Sequence, residues 1–132
     1  MNARTAIYFS RYLHNLGLSK RIESTLATDT DWASVALFYS AVHLMNSYLV
    51  NKANISFDPN DSNHQARWQA FKNCPELNSM REKYRELKDL SEQVRYDASF
   101  VFNATHLALA KTLFTKCESL VAPKVKKIMS AT

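Results

Sequence analysis

One glycine and three prolines in 132 residues leave little material for tight hairpin turns, which disfavours a fold of short antiparallel strands. A single glycine also rules out the glycine-rich loops that cradle a nucleotide's phosphates. The two cysteines, Cys74 and Cys117, lie far apart and show none of the paired spacings of a zinc site, so reduced thiols are expected, with no metal centre and no cofactor. The start, MNARTAIYFSRYLHN, lacks the basic flank, sustained apolar run and small-residue cleavage site of a secretory leader, and a cytoplasmic protein is expected. A nucleophile elbow, a helical HExxH and clustered carboxylates are also missing. Serine hydrolysis and metal-assisted hydrolysis are therefore disfavoured along with P-loop chemistry.

What is present is helical periodicity. At 46% hydrophobic, the chain can build a core without disulfides or metal, and one domain over residues 1–132 is expected. Apolar residues recur at helical steps from Arg4 to about Asn15, where Gly17 should end or bend the helix and Ser19 should cap a short second one. Asp29 or Thr30 can cap the next helix, whose segment WASVALFYSAVHLMNSYLV, Trp32 to Val50, is uncharged. Serines, His43 and Asn46 interrupt that segment on all sides, which fits the central helix of a bundle better than a membrane span, with Trp32, Tyr39 and His43 in the core.

Residues 51 to 63 read as a long polar loop, and Ser62 or Asn63 can cap a short helix through Phe71. Pro75 opens a helix to about residue 96, with Leu77, Met80, Leu87, Leu90 and Val94 as its apolar stripe. Asn103 can cap a final helix, which Pro123 should weaken near its end. In that helix His106 should pack locally as a neutral ring. Net charge is +5, a modest attraction for an anion; part of it sits in the tail Lys124 to Lys127, which reads either as a frayed end or as a phosphate contact.

The residues that could carry chemistry form a polar set. His64 and Arg67, three apart, share one helix face, while Tyr84, Lys88, Ser91 and Arg95 form a polar stripe on the next helix, followed by Tyr96 and Asp97. Histidine near arginine is the minimum set for metal-free cleavage of RNA, because imidazole can move a proton near neutral pH while guanidinium holds a phosphate. The plainer alternative makes Arg95 and Asp97 local salt partners and His64 an exposed residue of the first turn.

The stretches DWASVALFYSAVHLMNSYL, SNHQARWQAF and YRELKDLSEQVRYD resemble a branch of the HEPN superfamily (higher eukaryotes and prokaryotes nucleotide-binding) over roughly residues 31 to 121. The likeness lies in a YxAxHL-type helix, a histidine-containing loop and helix, and a later helix ending in Arg-Tyr. It implies an all-α, up-and-down bundle of four to five main helices plus a short helix after a long loop, in a homodimer. It also implies a metal-independent endoribonuclease of a toxin-antitoxin or phage-defence system, with an antitoxin or nucleotidyltransferase partner. On that reading Arg67 and Arg95 bind phosphate, His64 carries the proton, and Tyr84, Lys88, Ser91, Tyr96 and Asp97 orient them. The family's arginine is followed after four to six residues by histidine; here ten residues separate Arg95 from His106, and Tyr96 stands where Asn, Asp or His is usual. That departure supports the rival expectation, a non-catalytic module binding a protein or a nucleotide in a two-protein system.

Overall fold

A computed structural model describes residues 2–52, 57–58 and 64–131. The described residues form four long helices, α1 (Arg4–Thr25), α2 (Thr30–Leu49), α4 (Asn78–Tyr96) and α5 (Ala104–Ser130), with the short α3 (His64–Lys72) between α2 and α4. Among the described residues there is no strand. The expected caps Ser62 and Asn63 lie outside the described residues.

Contacts between side chains fix the helix directions. Asn51 bonds Thr5, Ser40 Oγ donates to the Tyr12 carbonyl at 2.8 Å, and Ser19 Oγ donates to the Ala33 carbonyl at 2.8 Å, so α1 and α2 run antiparallel. Tyr48 donates to Glu76 at 2.6 Å at one end of the α2–α4 contact and Arg95 donates to Tyr39 at 2.7 Å at the other, making that pair antiparallel too. Tyr12 bonds Glu118 and Lys111 pairs with Glu23, which sets α5 antiparallel to α1. The result is an all-α, up-and-down bundle.

The central helix is α2, against which α1, α4 and α5 all pack. From Ala33 to Leu49 only Tyr39 and His43 escape full burial. Phe38, Leu44, Phe71, Leu77, Leu87 and Val121 lie wholly inside one continuous core, to which α1 adds Phe9 and Tyr12. Burying a side chain of that size contributes roughly 1.5–3 kcal/mol. No helix among the described residues is long and apolar enough to cross a membrane.

Four local expectations are corrected. Helix α1 continues through Gly17, because Ser19 turns inward to bond Ala33 and so does not cap a new helix. A helical glycine costs about 1 kcal/mol relative to alanine, which the packing on α2 offsets. Pro123 does not weaken the end of α5, which runs to Ser130 with Val125 fully buried, so the lysine-rich tail is ordered helix and not a frayed end. Trp32, at the exposed start of α2, keeps 52% of its surface in solvent. Asp29 occupies the N-cap of α2 but makes no side-chain cap bond. Asn103 does cap α5, and His106 Nδ1 accepts the Asn103 amide in return while its ring packs on Phe100 and Phe102.

Candidate functional site

His64 is the first residue of α3, and Arg67 follows one turn later on the same face. That face turns inward onto α2. Arg67 is 4% exposed; its Nε donates to Asn46 Oδ1 at 3.0 Å, and its Nη1 lies 3.4 Å from His64 Nδ1. A guanidinium has donors only, so this contact requires the lone pair on Nδ1 and puts the neutral ring's proton on Nε2. Burial lowers the His64 pKa below its usual value, and the charges of Arg67, Lys88 and Arg95 lower it further, with Glu92 opposing. Near neutral pH the ring is therefore an uncharged N–H donor.

Between α3 and α4 lies a groove of about 430 Å³. His64, Gln65 and Trp68 form one wall, and Tyr84, Arg85, Lys88 and Glu92 form the other. Lys88 pairs with Glu92 at 2.9 Å and reaches Asp89 at 4.0 Å. Tyr84 is wholly buried, and its hydroxyl makes no well-formed hydrogen bond but lies near enough to Arg67 to feel the guanidinium. Burial pushes its pKa up to about 12, while the charge and hydrogen-bonding pull of Arg67 oppose the rise. Ser91 is buried next along the same stripe, and its Oγ is also unpartnered.

Arg95 stands one ring away from the groove. The Phe38 ring separates them, with its centroid 5.5 Å from that of His64 and 5.9 Å from the Arg95 guanidinium carbon. The guanidinium also lies 5.3 Å from the Tyr39 ring and 4.9 Å from Tyr96, donates to both hydroxyls, and leaves Nη2 without a partner. Among the described residues neither Arg67 nor Arg95 meets a carboxylate.

The structure thus brings His64, Lys88 and Tyr84 to one groove and sets Arg95 beside it. It does not bring Arg67 to the water-accessible surface: that side chain is buried behind His64. Asp97 is not a salt partner of Arg95; it is exposed, accepts from Ser99 N and Oγ, and its carboxyl is held below the usual range by those bonds. Tyr96 is 76% exposed. The pattern along the chain did not single out Asn46, Phe38, Trp68 or Arg85. Trp68 was legible in part, being one turn past His64 on the same face.

His43, expected as a satisfied core residue, is half-buried with Nδ1 unpartnered, near Tyr8 and under the charges of Arg11 and Arg67. Burial, then those charges, lowers its pKa from 6.5 to about 4. The unfolded chain binds the proton first, so His43 contributes stability that is complete above pH 6.5 and disappears as pH falls toward 4. The loss is at most on the order of 3 kcal/mol, reduced by partial exposure. His64 titrates in the same direction. The urea midpoint should fall over this window and fall less in His43→Gln; equal slopes in the two proteins would contradict the assignment.

Among the described residues no three His, Cys, Asp or Glu side chains gather as a metal site. Cys74 and Cys117 are free and buried, and burial pushes the Cys117 thiol up to about 12. Comparison with known proteins gives no match to a family model, a curated protein or a solved structure.

Proposed function

We propose that this is an RNA-directed, HEPN-like protein that holds a single strand by its phosphates in the groove between α3 and α4. One observation carries the reading: two guanidiniums, one buried and one caged by three aromatic rings, flank His64 with no carboxylate to balance either among the described residues. Buried charge is ordinarily paired, and an incoming anion would supply the missing partner. His64 Nε2–H, Arg85 and Lys88 Nζ, the last shared with Glu92, are cationic or N–H donors at the groove. Arg95 Nη2 is unpartnered but buried, so a second phosphate would reach it only if the side chains covering it move aside. RNA is favoured over other anions by the sequence resemblance.

A second reading, metal-independent cleavage, is favoured by the neutral state of His64 near pH 7. The ribose O2′ would pass its proton to a ring nitrogen of His64 as it attacks the adjacent phosphorus, the P–O5′ bond would break, and O5′ would take that proton back from the imidazolium, leaving a 2′,3′-cyclic phosphate and a 5′-hydroxyl. With Arg67 on Nδ1 the ring presents a proton and not a lone pair, so this step first requires that contact to open.

Purified protein, His64→Ala and Arg95→Ala should be compared for RNA binding by anisotropy and for cleavage in EDTA. The wild type should bind with an affinity that falls as salt rises, and His64→Ala should bind about tenfold more weakly. Equal binding by all three proteins would overturn the reading. Cyclic-phosphate ends produced by the wild type alone would establish cleavage.

A further inference from the structure

Trp68 is the one large aromatic ring among the residues that line the α3 wall of the groove. It is half-buried, its ring is held edge-on against the fully buried Phe71 at 6.4 Å, and the guanidinium carbons of Arg81 and Arg85 lie 5.7 and 5.8 Å from its centroid. The indole is anchored against Phe71 and lines the groove under the Arg85 guanidinium, so a planar group settles on it by taking the place of Arg85, and little freedom is lost because the ring itself is already held. At about 430 Å³ the groove is at the small end of ligand sites, with room for one nucleotide and not for a base pair.

We propose that the groove is a one-nucleotide subsite in which an unpaired base stacks on Trp68 while its phosphate is held by His64 and Lys88. This rests on the anion-binding reading above and adds the base to it. The exposed amide of Gln65, which carries both donors and an acceptor, is at hand for the edge of the stacked base. Two consequences follow. A duplex, whose bases are already stacked and paired, is a poor ligand, and a free nucleoside monophosphate is a ligand in its own right.

The chain has two tryptophans, and the other, Trp32, is exposed at the start of α2, so Trp32→Phe isolates the fluorescence of Trp68. In that background, adenosine 5′-monophosphate should quench the indole saturably, with adenosine and ribose 5-phosphate each about tenfold weaker. A single-stranded RNA should compete, and the same sequence as a duplex should compete at least about tenfold less well. In the otherwise native chain, Trp68→Leu keeps apolar volume against Phe71 and should weaken binding of single-stranded RNA by about tenfold, whereas Trp68→Tyr should restore most of it. Circular dichroism checks that each variant is folded. A folded Trp68→Leu protein that binds single-stranded RNA as well as wild type would overturn the subsite while leaving the RNA reading intact. Quenching by the monophosphate without competition from RNA would remove the RNA reading and keep the subsite.

Discussion

Arg67→Met should melt several degrees above the wild type and bind RNA at least about tenfold more weakly. The two effects share one cause. A guanidinium that is 4% exposed and whose partners among the described residues are an amide oxygen, an imidazole and the Tyr84 hydroxyl carries a desolvation penalty that no opposite charge offsets among those residues. Methionine has similar length and no charge, so the swap removes that penalty. Against the gain stands Asn46, whose oxygen loses its donor in a buried setting, at about 1–3 kcal/mol. The unpaired charge is the larger effect, since removing a buried ion from water costs several kcal/mol. Binding suffers because the positive field behind His64 is gone, and the His64 pKa should rise for the same reason. Thermal melts and anisotropy read both effects, and a lower melting temperature would mean that the charge is balanced in a way the described contacts do not contain.

Arg95→Ala should do the opposite to stability and the same to binding. This guanidinium is half-buried, donates to the Tyr39 and Tyr96 hydroxyls and the Ser91 carbonyl, and covers parts of three rings. Truncation removes those contacts and opens the α2–α4 seam to water, so the melting temperature should fall by several degrees. Affinity for RNA should drop between about ten- and a hundredfold, the worth of one charge-assisted phosphate contact. Arg95→Lys should not rescue it, because an ammonium lacks the planar fork that serves two hydroxyls and a phosphate together. A rescue by lysine would reduce the role of Arg95 to simple charge.

The long helices α2, α4 and α5 were legible because their apolar positions repeat at three and four residues over many turns. The buried stripe of α4 contains Met80, Leu87 and Leu90 as its spacing required. Local signals misled where tertiary bonds overrode them. Gly17 and Ser19 read as a break, but Ser19 satisfies its hydroxyl on α2, and Pro123 lies on the exposed side of α5, where the missing amide bond is tolerated.

At the candidate site the spacing of His64 and Arg67 announced a shared face, and the two do meet. Spacing could not say that this face turns toward Asn46, so an arginine expected at the phosphate lies beneath the imidazole. The polar side chains of Tyr84 and Ser91 gave no hint of burial, since the α4 stripe straddles the edge of the α2 contact. Residues two apart on a helix end do not face each other, which is why Asp97 caps its own turn and leaves Arg95 to the aromatic rings.

The most direct measurement is the proton NMR titration of the His64 imidazole, assigned with His64→Ala, in EDTA with and without a short single-stranded RNA. In the free protein the ring should titrate below its ordinary range, held neutral by burial and by the nearby arginines and lysine. Added RNA should shift its resonances and raise its pKa, because a phosphate beside Nε2–H favours the charged ring. RNA that binds the protein while leaving the His64 signals and titration unchanged would contradict the account.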